Sequence, residues 1–239
     1  KAIFGYGSTG SVTAVTNLVS SSGVVATDVT GVGTARTNLA AAGYGTDKAI
    51  FGYGYSGGYL SITNLVNSSG VVAADVTGVG TARRYLAATR YGVDTAIFAY
   101  GNSGSVVSLS NLVSNTGVVS ADVTGVGTVR TSLAAAGYGG DKAIFGYGHD
   151  GVSGVVSMSN LVSSSGVVAT DVSGVGTARD NLGAAGYGGD KAIFGYGDAG
   201  GSGSSLTNLV NNSGVIAADV TGVGTARWGL TAAGYSLSA

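Results

Sequence analysis

The sequence contains no cysteine and no proline, and only one histidine, one tryptophan and one methionine. Without cysteine the chain can hold neither a disulfide framework nor a thiolate metal site, and its redox compartment cannot be read from the sequence. Charged residues are scarce at 10%, against about 25% in an average soluble domain. The net charge of −1 lacks the basic excess that attracts nucleic acid or anionic membranes, so neither partner is predicted.

Long apolar runs are also missing. No segment approaches the roughly 18 consecutive apolar residues of a transmembrane helix, so we predict no membrane insertion. Glycine, in contrast, is abundant, with 45 residues among 239, and 44% of the chain is hydrophobic. The glycines follow no Gly-X-Y period, which excludes collagen, and the hydrophobic content is too high for a disordered chain.

Side chains suited to catalysis are few. There is no glutamate, and the single histidine is His149. Because Asp150 follows it and serine is common, a Ser-His-Asp arrangement is one option, but nothing in the spacing positions the three groups. Residues 5–10 match a dinucleotide-binding glycine pattern, yet another short strand follows where a phosphate site requires a helix. We therefore predict no cofactor and no enzymatic activity.

An internal repeat organises the whole chain. The motif Ile-Phe-Gly-Tyr-Gly, or a close copy, recurs with its tyrosine at positions 6, 53, 100, 147 and 196. Self-similarity at a period of this length is typical of repeat architectures. The five units, 1–47, 48–94, 95–141, 142–190 and 191–239, leave no room for a separate domain.

Each unit contains four short segments rich in Val, Ile, Phe, Tyr and Thr, which are residues 1–7, 11–19, 24–30 and 39–44 of the first unit. Their length and the intervening glycine turns are typical of strands. We predict an all-β, five-bladed β-propeller with four antiparallel strands per blade of about 47 residues. Pairing the first strand with residues 230–235 would close the ring within one blade, which predicts a monomer.

Two further expectations concern packing. Strict alternation along the first strand predicts Phe4 and Tyr6 on one face and Gly5 and Gly7 on the other, so that rings pack on the backbone of the neighbouring blade. The strand at residues 39–44 has the smallest side chains. We expect it to lie innermost, where five strands crowd the axis.

The order of Arg36, residues 39–44, residues 48–54 and a strand near Leu65 resembles a kelch repeat. The resemblance extends over all five units, although Gly-Tyr-Gly stands where kelch repeats have Gly-Gly and their late tryptophan is absent. The unit number and length are also similar to the tachylectin type of sugar-binding propeller. These resemblances imply a propeller fold and non-enzymatic binding, and they transfer no individual site residue.

Two sets of aspartates recur. In the first set each aspartate precedes an arginine by eight residues, as Asp28 precedes Arg36. Because a buried arginine needs a partner, we predict a structural Asp–Arg pair within each unit. Calcium binding is the alternative, but no unit concentrates several carboxylates in one loop, so no metal is predicted. The second set is predicted to form turns and comprises Asp47, Asp94, Asp141 and Asp190.

The units differ from one another mainly in two windows. The first window follows Gly-Tyr-Gly and comprises Ser8-Thr9, Tyr55-Ser56, Asn102-Ser103, His149-Asp150 and Asp198-Ala199. The second window follows the recurrent arginine and comprises Thr37-Asn38, Arg84-Tyr85, Thr131-Ser132, Asp180-Asn181 and Trp228-Gly229. Alternate connections of a meander emerge on the same side, so both windows are predicted to share one face. Free drift of unconstrained loops is the alternative explanation of their variability.

Variable loops on a rigid frame are typical of binding surfaces, and exposed Trp and Tyr anchor interfaces. We predict a recognition module for a carbohydrate or protein partner, with an extracellular or particle surface favoured as its location. The predicted contact residues are Trp228, Tyr85, Tyr59, Tyr55, His149 and Asp150. The alternative is a structural repeat module of a larger fibre or appendage, which is favoured by a first residue, Lys1, that lies inside a repeat.

Overall fold

The computed structural model describes residues 1–234, which form 14 β-strands in five separate antiparallel sheets. The first sheet has two strands, β1 (Ala2–Ser8) and β2 (Val12–Val19). The other four sheets have three strands each. Their strands are β3 (Ala40–Tyr44), β4 (Lys48–Tyr55), β5 (Tyr59–Val66); β6 (Ala87–Tyr91), β7 (Thr95–Ala99), β8 (Ser110–Val113); β9 (Ala134–Tyr138), β10 (Lys142–Gly146), β11 (Ser159–Val162); β12 (Gly183–Tyr187), β13 (Lys191–Gly195) and β14 (Thr207–Val210).

The predicted ring of four-stranded blades is wrong, because none of these sheets has a fourth strand. The segment predicted as the third strand of each unit, residues 24–30 in the first, joins its sheet through two isolated bridges only. Thr16 pairs with Val29, and Val19 pairs with Val25. Three residue steps on β2 therefore face four steps on the partner, and the extra residue interrupts the ladder.

An asparagine side chain takes the place of the missing ladder bonds. In the first unit, Asn17 Nδ2 donates to the carbonyl oxygen of Ala26 at 3.1 Å and to Asp28 Oδ1 at 2.8 Å. The same two bonds recur in the other four units, from Asn64, Asn111, Asn160 and Asn208. These bonds hold the segment beside the sheet as a looped outer edge.

The predicted closure of the two chain ends is also wrong. Strand β1 pairs with β2 alone, and residues 230–234 form no strand, while Tyr235 lies outside the described residues. Each alanine-rich strand pairs with the strand that follows it through a tight turn, as β3 pairs with β4. Within the described residues, positions 230–234 have no such hairpin partner.

The sheets pack in chain order, and the core lies between consecutive sheets. The alanine-rich edge strands β3, β6, β9 and β12 contact one another in succession, where their small side chains allow close approach. These strands were expected to surround a central axis. Because the described sheets do not form a ring of four-stranded blades, that expectation is wrong. Four buried clusters each join two neighbouring sheets. Residues 1–234 include no helix long and apolar enough to cross a membrane.

The motif Gly-Tyr-Gly is a bulge, and it corrects the predicted alternation. Tyr6 has φ 64° and Gly7 has φ 108°, and the register of β1 against β2 shifts between Gly5 and Gly7. Two steps on β1, from Gly5 to Gly7, face three steps on β2, from Thr13 to Thr16, so the extra residue of the bulge lies on β2. The left-handed φ of Tyr6 turns its side chain to the opposite face from the phenylalanine two positions earlier. In the second unit, Phe51 consequently packs on the preceding unit and Tyr53 on the following one. The Phe51 ring packs on the backbone of Gly5 in the preceding unit, as predicted, whereas the tyrosines contact phenylalanine rings.

Candidate functional site

The two variable windows lie side by side. Isolated antiparallel bridges pair a residue of the second window with one of the first window 18 residues later, and the pairs are Thr37–Tyr55, Arg84–Asn102, Thr131–His149 and Asp180–Asp198. In each pair, backbone hydrogen bonds of 2.8–3.0 Å run in both directions. These paired backbone hydrogen bonds fix the positions of the variable residues beside four of the five sheets.

A column of residues in the left-handed region links the second windows of successive units. Each backbone N–H donates to the carbonyl oxygen of the equivalent residue one unit earlier, at 2.9–3.0 Å. The column consists of Asn38 (φ 55°), Tyr85 (φ 54°), Ser132 (φ 54°), Asn181 (φ 49°) and Gly229 (φ 70°). Asparagine and glycine suit this conformation, whereas tyrosine carries a large side chain into it at a cost in free energy.

Three predicted tyrosines converge on one arginine. The rings of Tyr55 and Tyr59, opposite each other on β4 and β5, are 5.7 Å apart at 76°. The Arg84 guanidinium carbon lies 4.6 Å from the centroid of Tyr55, 5.5 Å from Tyr59 and 5.0 Å from Tyr85. The Tyr59 hydroxyl donates to Asn102 Oδ1 at 3.1 Å. We call Tyr55, Tyr59, Arg84 and Tyr85 the tyrosine–arginine cluster.

The cluster combines stacking surface with positive charge. Tyr85 is exposed, whereas Arg84, Tyr55 and Tyr59 are half-buried. Arg84 Nε is shielded from solvent and has no hydrogen-bond partner among the described residues. A guanidinium held among aromatic faces is stabilised by cation–π attraction while keeping donors for a ligand oxygen.

His149 and Asp150 do not form a catalytic relay. His149 Nδ1 accepts a hydrogen bond from the backbone N–H of Gly151 at 2.9 Å. The Asp150 carboxylate accepts from the backbone of residues 152–154 and from the Ser153 hydroxyl. These bonds, led by that of Ser153, hold the pKa of Asp150 well below its usual range. Asp150 organises its own loop, so its predicted contact role receives no support from the geometry.

Two unrepeated aspartates lie near His149. Burial raises the pKa of Asp180, and the neighbouring Asp198 carboxylate raises it further, while Asn181 and His149 lower it in part. Among the described residues, no three His, Cys, Asp or Glu side chains are close enough to hold a metal ion. Asp180 and Asp198 thus make the windows of the fourth and fifth units acidic, in contrast to the positively charged tyrosine–arginine cluster.

Trp228 stands apart from the other predicted contacts. Its side chain is 58% exposed, and its ring lies beside Gly203 of the fifth unit. The structure thus brings together three of the six predicted residues, Tyr55, Tyr59 and Tyr85, and leaves the others separate. Arg84 was missing from the predicted contacts, although an unrepeated arginine next to an unrepeated tyrosine is the signal that could have identified it.

The recurrent aspartates have different partners from those predicted. Asp122 accepts from the backbone N–H and hydroxyl of Thr81, one unit earlier, at 3.0 and 2.7 Å, and Arg83 of that unit lies 3.9 Å away. Asp219 and Arg179 make the equivalent pair at 3.7 Å. The pairing therefore joins two units instead of closing within one. Asp75, Asp171 and Asp219 accept from a threonine hydroxyl one unit earlier in the same way as Asp122.

One cavity lies away from the windows. It measures about 970 Å³ and is bordered by the constant turns of the first two units, including Lys1, Asp47, Lys48 and Arg90. None of the six predicted contact residues lines it. The aspartates predicted as turn residues do lie in turns, where the carbonyl oxygens of Asp94, Asp141 and Asp190 accept from a glycine one unit earlier.

No family model matches the sequence, and no curated protein matches it. Among solved structures, the chain is similar to the structure of YjhT, with a TM-score of 0.61 and 10% sequence identity. The match covers 79% of this chain and 66% of the YjhT chain, which is slightly less than two thirds of that protein. A likeness at this identity concerns the fold alone.

Proposed function

We propose that the chain is a non-enzymatic recognition module that binds a carbohydrate or protein partner through its variable windows. The observation that carries the proposal is the tyrosine–arginine cluster, where three unrepeated tyrosines surround one unrepeated arginine. The repeated tyrosines at positions 6, 53, 100 and 147 also stack with arginine, but they are buried between sheets. The cluster, by contrast, lies at the adjoining ends of β4 and β5 and in the second window, where Tyr85 is exposed to a ligand.

The chemistry of the cluster favours a polar ligand that contains a ring. Aromatic faces stack on the apolar face of a sugar, and a guanidinium donates to hydroxyl or carboxylate oxygens. Tyr85 is held in a conformation that disfavours tyrosine. The repeated tyrosines, such as Tyr53 (φ 64°), share this conformation, so it belongs to the frame, and the exposure of Tyr85 is what supports its role as a contact.

The chain itself supplies the substitutions that test this proposal. Asparagine occupies the Tyr85 position in the first and fourth units, and threonine occupies the Arg84 position in the first and third. Y85N and R84T should therefore preserve the backbone and remove only the stacking and charged groups. On a glycan array and in affinity capture, we expect each variant to weaken ligand binding by about tenfold or more.

The matched control is Asn181→Ser, which changes the same column two units away to the residue found at position 132. It should leave binding unchanged. Retention of neither glycan nor protein by the wild-type chain would contradict the proposal, as would equal binding by the wild-type chain and both cluster variants.

A second candidate is a structural repeat module of a larger fibre or surface appendage. One observation favours it: the first and last units carry contact surfaces that are filled everywhere else between units. Phe4 is 57% exposed, whereas the equivalent Phe51 is 4% exposed. If association through these surfaces is absent while ligand binding is present, the recognition role stands alone.

A further inference from the structure

The same set of contacts joins every consecutive pair of units. Between the second and third units, the Phe98 ring packs on Gly52 and on Tyr53, with ring centroids 5.2 Å apart. Arg83 stacks on Tyr53 at 4.3 Å. The earlier unit thus offers a seat of glycine and tyrosine, and the later unit fills it with phenylalanine.

Polar contacts complete this interface. Arg83 Nη2 donates to Asn111 Oδ1 of the later unit at 2.6 Å, and the Thr81 hydroxyl donates to Asp122 Oδ2 at 2.7 Å. The same two contacts recur at the other three junctions, through Arg36–Asn64 and Thr34–Asp75, Arg130–Asn160 and Thr128–Asp171, and Arg179–Asn208 and Thr177–Asp219. In these two side-chain contacts, the earlier unit donates the hydrogen bond and the later unit accepts it.

The fifth unit presents the donor half of this interface, and within residues 1–234 no later unit covers it. Arg227 lies 3.8 Å from the Tyr196 ring centroid but is exposed, whereas the four equivalent arginines are fully buried. At Gly195, the position that holds a phenylalanine ring in other units, no ring of residues 1–234 outside its two chain neighbours lies within 4 Å of an added Cβ. We call Gly195, Tyr196, Thr225 and Arg227 the tail surface.

The first unit presents the acceptor half. Phe4 is 57% exposed. Asn17 is half-buried, although the four equivalent asparagines are fully buried, and in the described part of the chain no arginine reaches its Oδ1. Asp28 receives the Asn17 amide but no threonine hydroxyl. We call Phe4, Asn17 and Asp28 the head surface.

We propose that the tail surface of one chain binds the head surface of a second copy. The occupant follows from complementarity, because Phe4 fits the seat at Gly195 and Tyr196, while Arg227 and Thr225 supply the donors that Asn17 and Asp28 accept elsewhere. Two different surfaces meet in this contact, so it is heterologous and extends into open chains instead of stopping at a dimer. The proposal deepens the structural function and is independent of ligand binding at the windows. It replaces the monomer expected from a closed ring.

Sedimentation velocity over a range of concentrations tests the proposal. The wild-type chain should form dimers and longer species as its concentration rises. A head variant, Phe4→Ser with Asp28→Ala, and a tail variant, Gly195→Val with Arg227→Ala, should each associate at least about tenfold more weakly. Val152→Ser is the control, because it removes a 93% exposed apolar side chain from a loop outside both surfaces.

Mixing the two variants gives the sharpest readout. The head variant keeps an intact tail and the tail variant an intact head, so an equimolar mixture should form a complex of one copy of each and nothing longer. Cooperative unfolding of each variant establishes that it is folded, and single substitutions, Phe4→Ser and Arg227→Ala, serve if a double variant is not. A wild-type chain that stays monomeric would overturn the proposal, as would variants that associate like the wild type or a mixture without a complex.

Discussion

The junctions between units and the two ends of the chain carry the same residues in different surroundings. At the junction of the fourth and fifth units, Arg179 and Phe194 are fully buried. At the ends, the equivalent Arg227 and Phe4 are exposed. The repeated arginine and phenylalanine are therefore buried only where a neighbouring unit covers them. Their role is to hold consecutive units together. One unit alone would leave its most apolar and its charged groups in water.

The largest expected effect comes from emptying a filled seat. Phe98→Ala removes a fully buried ring and should reduce the free energy of unfolding by about 3–5 kcal/mol, because a cavity remains beside Gly52. Phe4→Ala, the same change at the head surface, should cost less than about 0.5 kcal/mol in dilute solution, since the ring is already exposed. Urea unfolding of both variants measures the contrast. Similar losses would mean that the seats are not the source of adhesion.

Filling a seat should have a smaller effect. A Cβ at Gly52 would lie 2.7 Å from Phe98 Cζ, so Gly52→Val should destabilise the chain by roughly 1–3 kcal/mol through overpacking. Within residues 1–234, the atom nearest to a Cβ added at Gly195, outside the adjacent residues, is Thr207 Cγ2 at 3.3 Å. Gly195→Val should therefore stay within about 0.5 kcal/mol of wild type. Thermal unfolding of the pair checks this, and an intolerant Gly195 would contradict the open seat.

The smallest expected effect is the loss of folding stability at acidic pH. Burial alone raises the pKa of Asp122, but hydrogen bonds from Thr81 and Asn111 and the charge of Arg83 lower it below its ordinary value of 3.8. A lowered pKa in the folded state means stability that is present above pH 3.8 and is lost as the pH falls through the folded-state value. Burial likewise raises the pKa of Asp75, Asp171 and Asp219, but the equivalent threonine, asparagine and arginine partners outweigh it and leave each pKa lowered. The chain should therefore lose stability below about pH 4.

Asp122→Asn isolates one junction. It should cost about 1–3 kcal/mol at neutral pH, because the Thr81 donors lose a charged acceptor. The deficit should shrink below pH 3.8, where the wild-type carboxylate is protonated in the unfolded chain. Asp28→Asn at the head surface is the control and should have little effect on unfolding of the monomer. A deficit of Asp122→Asn that is constant from pH 7 to pH 3 would count against this junction.

Much of the local structure could be predicted from the repeat. Three of the four segments of the first unit form the expected strands within one residue, because their β-branched and aromatic content agrees with their final environment. The remaining segment, residues 24–30, has a similar composition, yet it is not a strand. Composition does not reveal that an extra residue breaks the ladder and that the Asn17 side chain replaces the lost backbone bonds.

Longer-range features were harder to predict. The left-handed φ of Tyr6 is unusual for a non-glycine residue, so the alternation rule assigned Phe4 and Tyr6 to the same face. The aspartate partners were placed within a unit because they are close in sequence, although Asp122 binds the unit before it. For the candidate site, variability between units identified the windows and their three clustered tyrosines. It did not show that Asp150 is engaged by its own loop or that Arg84 lies at the centre.

The most direct test of adhesion by the repeated residues is the difference in unfolding free energy between Arg179→Ala and Arg227→Ala, measured at a concentration too low for association. Arg179 donates to Tyr196 O at 2.7 Å, Thr177 O at 2.9 Å and Asn208 Oδ1 at 2.5 Å. Its loss leaves buried acceptors unpaired and should cost roughly 3 kcal/mol. Loss of the exposed Arg227 should cost less than about 1 kcal/mol. Equal costs for the two variants would contradict the claim that covering by a neighbouring unit makes these residues stabilising.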